Sequence, residues 1–291
     1  MDDERFRDLV TTRVSRPAAI AEAAAKRRRP TSMLGDHGRL MMIAADHPAR
    51  GALAAGSRPF AMGDRVDLLD RLVLALSRPG VNGVLGTPDV LEDLLLLGAL
   101  DDKVVIGSMN RGGLAGTVFE LDDRFTAYDA QSIADAGFEG GKMLTRIDPN
   151  DPATVATLES CADAVSDLAR HRLLAMVEPF ISHRAEGRVR NELTADAMVR
   201  ANSIAAGLGS TSAYTWLKVP IVDEMERAMA ATTLPALILG GEVAEDQQAA
   251  FANWQKALAL PTVQGLVIGR SLLYAPGDDV ASAVDTAVGL L

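Results

Sequence analysis

A chain of 291 residues can hold one large domain or two small ones. At 48% hydrophobic but only 4% aromatic residues, its interior must be built from Ala, Val, Leu, Ile and Met, as in layered α/β proteins. A formal net charge of −10 argues against a general nucleic-acid or anionic-membrane surface, because such partners require a clustered basic face; the one basic run, KRRRP at 26–30, reads as a solvated helix end. Cys161 stands alone and cannot close an internal disulfide, and the start MDDERFRDLV shows neither a signal pattern nor a spanning apolar run, so a reducing cytoplasm is the expected compartment.

In chain order, residues 1–38 predict a helical extension that packs on the rest of the chain or on a neighbouring subunit, and a homo-oligomer is expected. From residue 39 onward, short apolar runs ending in polar or glycine residues alternate with stretches of helical periodicity. The runs are RLMMIAAD (39–46), VNGVLG (81–86), KVVIGSMN (103–110), GGKMLTRI (140–147), LLAMVEP (173–179), YTWLKVP (214–220), PALILGG (235–241) and VQGLVIG (263–269). Helices are predicted over 63–79, 153–171, 194–208 and 245–260, with Asp or Thr near several starts and Gly or Pro after several ends. Eight strands alternating with helices predict a (β/α)8 TIM barrel over 39–291. An open doubly wound sheet is the alternative, but no strand is followed by a GxGxxG turn that opens a helix.

A TIM barrel carries its active site at the C-terminal strand ends, which here offer Asp46 and His47, Asn110, Lys142 and Arg146, Glu178, Lys218, Gly240 with Gly241, and Gly269 with Arg270. Alternation puts Tyr214, Trp216 and Lys218 on one face of their strand and Thr215, Leu217 and Val219 on the other, apolar face. Lys218 then points into the barrel above an indole, where desolvation favours the uncharged amine that attacks a carbonyl carbon; the alternative is that it snorkels out past the strand end. The same alternation groups Lys142, Leu144 and Arg146 inside the barrel. Glu178, on the strand between the two lysines, would either move protons or simply neutralise them. Asp46 could equally cap a turn before Pro48, with Arg50 following shortly. The glycines and Arg270 that end the last two strands predict an anion site. Of His37, His47, His171 and His183, His171 precedes the fifth strand and lies at the opposite end of the barrel, so no three-histidine set assembles at the mouth, and neither metal nor organic cofactor is expected.

Together these strand ends resemble the Schiff-base (class I) aldolases of the superfamily that includes deoxyribose-phosphate aldolase, the DhnA-type fructose-bisphosphate aldolases and tagatose 1,6-bisphosphate aldolase. GGKMLTRIDPNDPATV is similar to the fourth-strand lysine segment of the tagatose enzyme, MVEP to its glutamate strand, WLKVPI to its imine-forming lysine strand, and ADHPARGAL to its Asp-Gln-Arg-Gly turn. The resemblance spans about 39–275. It implies a carbon–carbon lyase in which Lys218 forms an imine with a substrate ketone, Glu178 and Lys142 shuttle protons and Asp46 orients hydroxyls. Gly240, Gly241, Gly269 and Arg270, with Arg146, Arg50 and His47, would bind the phosphorylated sugar or sugar acid. The chain departs from the pattern in having His47 in place of Gln, in carrying Pro48 and Ala49 before Arg50, and in the basic loop 180–193 with Arg184, Arg188 and Arg190. Its Arg- and Ala-rich composition also resembles the aldolase-like barrels found with inositol-catabolism enzymes. That resemblance implies 5-dehydro-2-deoxy-6-phosphogluconate as substrate, split into dihydroxyacetone phosphate and malonate semialdehyde. A phosphosugar-sensing or regulatory barrel without turnover is the competing class.

Overall fold

The computed structural model describes residues 1, 3–35, 37–243 and 246–291. Two helices, α1 (Asp3–Ser15) and α2 (Ala19–Lys26), precede β1 (Leu40–Ala44), α3 (Arg65–Ser77), β2 (Gly83–Gly86), α4 (Pro88–Leu96), β3 (Val104–Ser108), α5 (Ala130–Asp135), β4 (Gly140–Ile147) and α6 (Ala153–Arg170). The chain continues through β5 (Leu174–Ala185), β6 (Arg188–Asn191), α7 (Ala195–Ala206), β7 (Thr215–Val219), α8 (Met225–Met229), β8 (Ala236–Leu239), α9 (Gln247–Leu258), β9 (Val263–Ile268), α10 (Arg270–Leu273) and α11 (Val280–Val288). The strand order β4-β3-β2-β1-β9-β8-β7-β5 is closed by pairing of β4 with β5, and every contact in this ring is parallel. This is the (β/α)8 barrel that the alternation of apolar runs and helices predicts.

Local chemistry fixes where the helices begin. Asp64, Thr194 and Asp279 each accept a hydrogen bond from the third backbone N–H beyond them, and Asp129 with Ser132 forms a reciprocal capping box at α5. Asp246 does the same for α9, whose predicted start at Glu245 lies outside the described residues. Leu40, Met42, Leu85, Ile106, Met176 and Leu237 fill the barrel interior with Trp216 packed against them, whereas Ile43, Val84, Val105, Leu217 and Ile238 belong to the larger core under the helices. Gly269 ends β9 where a Cβ would fall 2.5 Å from the carbonyl oxygen of Ala44, so only glycine lets the chain turn across the top of β1.

Two segments differ from expectation. The arginine-rich stretch 180–193, a loop by sequence, is the continuation of β5 into an antiparallel hairpin that pairs Ser182 with Asn191 and Arg184 with Val189. Its turn places Glu186 and Gly187 at φ 52 and 74, as a two-residue type I′ connection requires. The KRRRP run is not a wholly solvated helix end either. Arg27 is only 7% exposed, donating to the Lys103 carbonyl at 2.8 Å and to Glu139 at 2.9 Å beneath the barrel, which anchors the N-terminal extension. No helix among the described residues is long and apolar enough to cross a membrane.

Candidate active site

Side-chain alternation on β4, β5 and β7 sends Lys142, Glu178 and Lys218 to the barrel axis. Met176 pairs with Trp216 and Val177 with Leu217, so the next residues, Glu178 and Lys218, stand side by side one layer higher. The Lys218 ammonium lies 3.0 Å from Glu178 Oε1, and Glu178 Oε2 contacts Lys142 Nζ. Lys142 in turn lies 3.0 Å from Asp46 Oδ2 at the end of β1. That same oxygen accepts from Ser108 Oγ at 3.1 Å and faces the Arg111 guanidinium at 3.0 Å. The result is an unbroken buried chain, Lys218–Glu178–Lys142–Asp46–Arg111, in which each carboxylate bridges two cations.

The chain sets the charge states of its members. Burial alone would push both carboxylates up, but attraction from Lys142, Arg111 and Lys218 holds Asp46 well below the usual range, and Lys142 with Lys218 brings Glu178 down to about 2. Burial, followed by repulsion from Arg111, outweighs the two carboxylates at Lys142 and lowers its ammonium to about 8. Lys142 is therefore poised close to neutrality, where an amine can both give and take a proton. His47 sits beside this chain with Nδ1 3.8 Å from Asp46 Oδ1 and no hydrogen-bond partner for that nitrogen. Burial, with repulsion from Arg270 and Lys218, lowers its pKa and keeps the ring neutral.

The glycines at the other side of the mouth are drawn together by Ser271, whose hydroxyl donates to the carbonyls of Gly240 at 3.2 Å and Glu242 at 3.1 Å. Gly241 adopts φ 68 and Gly269 leads into α10. Arg270 reaches over the β1 loop to the Ala54 carbonyl at 3.2 Å, leaving its Nε buried without a partner among the described residues.

Arg50 and Arg146, expected near a ligand, turn to the protein instead. Both bind Glu120 Oε1, at 2.9 and 2.7 Å, and Arg146 also faces Asp123 at 3.5 Å. Arg50 Nε donates to the Gly113 carbonyl at 3.0 Å, and Arg184 of the hairpin donates to the Val118 carbonyl at 2.7 Å, so the loop after β3 is tied down from three strands. Asn110 is also structural, pairing its amide with both backbone groups of Leu144 at 2.6 and 2.7 Å. Strand ends alone do not single out Arg111 or Ser108, although both touch Asp46; the polar run SMNR at the end of β3 is the available signal. His183 is exposed on the hairpin, 3.5 Å from Glu192, and His171 follows α6. Among the described residues no group of three or more His, Cys, Asp or Glu side chains is arranged to hold a metal ion.

A family described as Cgl0159-like matches residues 38–288. Among solved structures, Cgl0159 from Corynebacterium glutamicum (Brevibacterium flavum) is 51% identical with a TM-score of 0.97, covering 100% of this chain and 97% of that one. A Schiff base-forming fructose-1,6-bisphosphate aldolase is 17% identical with a TM-score of 0.65, covering 93% of this chain and 99% of that one. An archaeal fructose-1,6-bisphosphate aldolase, solved with its catalytic lysine covalently bound to the carbinolamine intermediate of its substrate, is 18% identical with a TM-score of 0.67, covering 93% and 98%. At these identities the two aldolases share the fold. No curated protein matches the chain.

Proposed function

The chain belongs to the Cgl0159-like family, and we propose that it is a class I aldolase that cleaves a phosphorylated ketose or keto acid through an imine on Lys218. The observation that carries this reading is Glu178 bridging two buried lysines, with Lys142 held between two carboxylates and Lys218 facing one. In this reading Lys142 is the proton carrier. Lys218, on the strand next to β8, meets only Glu178 among the charged groups of the described residues, and it is the lysine assigned to covalent work. The aldolase neighbours support the same reading through their fold, and one of them holds its catalytic lysine bound to a carbinolamine.

Lys218 loses a proton through Glu178 toward Lys142, the group poised near neutrality, and its lone pair attacks the ketone carbon. The carbinolamine oxygen leaves as water after protonation, giving an iminium. Asp46 orients the hydroxyl on the far carbon of the scissile bond, and its proton passes to the Lys142–Glu178 pair as that bond breaks. The bonding electrons move onto the iminium to form an enamine and the first product leaves as an aldehyde. Protonation of the enamine carbon and hydrolysis by water then release the second product and restore the amine. Gly240, Gly241, Gly269 and Arg270 hold the phosphate on the ketone side. Cleavage of 5-dehydro-2-deoxy-6-phosphogluconate to dihydroxyacetone phosphate and malonate semialdehyde fits this order of groups.

Borohydride reduction in the presence of dihydroxyacetone phosphate tests the reading. A reduced adduct mapped to Lys218 is expected; an adduct on Lys142 alone reverses the two lysines. Ligand-induced stabilisation with neither adduct nor turnover makes the protein a phosphosugar sensor.

A further inference from the structure

Arg111 holds a feature that the proposed cycle does not use. The residue is 4% exposed, with Nε donating to the Asn110 carbonyl at 2.5 Å and Nη1 serving both the Asp46 carbonyl at 3.2 Å and the Asp46 carboxylate at 3.0 Å. Its Nη2 is buried and has no hydrogen-bond partner among the described residues. A buried donor on a group that cannot lose its charge is costly to leave unsatisfied, and such orphans mark places where a water, ligand or ion completes the set. The charge balance points the same way. The chain from Lys218 to Arg111 contains three basic groups and two carboxylates, so with Lys142 protonated it carries one unmatched positive charge that a substrate anion would offset.

We infer that Arg111 is a specificity-determining residue that reads a carboxylate on the aldehyde-forming half of the substrate, close to the reacting hydroxyl. This rests on the imine reading above, which it narrows from phosphorylated ketoses in general to phosphorylated keto acids of the β-hydroxy acid type. The closeness comes from Asp46. One of its oxygens is shared by Lys142 and Arg111, so a group on the guanidinium lies a single carboxylate's width from the proton carrier. A hydroxyl and a carboxylate separated by one methylene span such a gap. A phosphate ester at the far end of a three-carbon aldehyde fragment sits further from the hydroxyl carbon and needs a wider, more hydrated pocket than a 4%-exposed arginine offers. Arg270, at the end of β9, lies three strands round the ring from β3, which leads to Arg111, and two from Lys218 on β7, and it is left for the ketone-side phosphate. The substrate would then be anionic at both ends, with one guanidinium for each.

The test uses 3-hydroxypropionate, which has the hydroxyl and carboxylate but no carbonyl to react, alongside 1,3-propanediol and inorganic phosphate. Isothermal titration of the wild-type protein should show 3-hydroxypropionate binding that weakens at least tenfold in Arg111→Gln, with little or no affinity for the diol in either protein. Equal affinity in both proteins, no binding at all, or a phosphate affinity that falls more in Arg111→Gln than in Arg270→Ala would overturn the assignment. A second arm runs the condensation of dihydroxyacetone phosphate with malonate semialdehyde or with propanal. The wild-type preference for the charged aldehyde, taken as a ratio of kcat/KM within each protein, should drop ten- to hundredfold in Arg111→Gln and in Arg111→Lys. The ratio cancels any general loss from a displaced Asp46. Failure here is separable from failure of the imine: trapping on wild-type Lys218 without any preference for the charged aldehyde removes only the carboxylate assignment. Arg111-dependent 3-hydroxypropionate binding without trapping removes only the imine.

Discussion

Two buried ion-pair systems lie at the same end of the barrel, and they are built from different cations. The inner one runs from Lys218 to Arg111 through Glu178, Lys142 and Asp46; the outer one joins Arg50, Glu120, Arg146 and Asp123. In the outer system the partners are largely loop backbone. Arg146 donates to the Glu120 carbonyl, Asp123 accepts from Gly113 N–H at 2.8 Å, and Glu120 accepts from Gly116 N–H at 2.8 Å. Its arginines stay charged throughout the working pH range; even Arg50, lowered by burial and by its arginine neighbours, reaches only about 10. A fixed charge on a fixed fork suits holding a loop. The inner system instead places Lys142 between two carboxylates and Lys218 against one, and a lysine can give up its proton and become a nucleophile. Burial of charge alone therefore does not mark a site of chemistry; what matters is whether the buried cation can change state.

Exchanging the cation type breaks the comparison most directly. Lys218→Arg keeps a positive charge beside Glu178 but cannot form an imine, so turnover should fall by about 10³-fold or more, with borohydride trapping lost and the melting transition close to wild type. Retention of a tenth of the activity would remove the imine from the mechanism. The converse exchange, Arg146→Lys, should leave kcat nearly unchanged.

Removing a cation from the outer system should cost fold stability. Arg146→Ala takes the cation from buried Asp123 and leaves Glu120 with Arg50 alone, for which a loss of about 3–5 kcal/mol is expected by urea denaturation. Amide exchange should quicken at Gly113 and Gly116, whose N–H groups are bonded to those carboxylates. A fully stable variant with unchanged exchange would mean that the loop is held by other contacts.

These differences also show how much the sequence could tell. Apolar runs and their polar ends were enough to place every barrel strand, since the period-2 face and the strand terminus are local properties. Lys142, Glu178 and Lys218 came with them, because each lies within or at the end of such a run. The sequence did not show what the side chains meet. Arg50 and Arg146 look like ligand-facing cations until the turn-rich segment GLAGTVFELDDRF folds back over them with Glu120 and Asp123. Arg111 lies just beyond β3 and meets Asp46 across 65 residues of sequence, a pairing that no local pattern encodes. The β5–β6 hairpin had a readable signal, Glu-Gly between two alternating stretches, but its many arginines mask the strand pattern.

Proton linkage sharpens the contrast with a smaller effect. Glu178 falls from an ordinary value of 4.5 to about 2 in the folded protein, so between those pH values the unfolded chain holds a proton there that the folded chain lacks. Stability from this group is complete above about pH 4.5 and is lost as the pH falls toward 2, on the order of a few kcal/mol. Lys142 has the opposite consequence. Lowered from 10.5 to about 8, it disfavours the fold most below pH 8, and stability should rise with pH between 8 and 10.5 as the unfolded chain loses its extra proton. Denaturation of the wild type and of Glu178→Gln across pH 3–6 should show a flatter acid limb in the variant. Identical limbs would place the titrating groups elsewhere.

The smallest expected effect concerns the far side of the mouth, where Arg270 belongs to neither ion-pair system. Among the described residues its one hydrogen bond is to the Ala54 carbonyl and its Nε lacks a partner, so it can offer charge and donors to a phosphate beside the amides that follow Gly240 and Gly269. A charge-assisted hydrogen bond of this kind contributes about 1.5–3 kcal/mol. Arg270→Ala should lower kcat/KM roughly ten- to hundredfold for phosphorylated substrates, and much less for a non-phosphorylated analogue such as dihydroxyacetone in the condensation direction. The fold should be little affected, because no carboxylate partner is stranded. Equal losses with both substrates would make Arg270 a support for the β1 loop through Ala54. A loss confined to the phosphorylated substrate, together with the Arg111 dependence on a carboxylate, would place a guanidinium at each end of the substrate with the lysines between them.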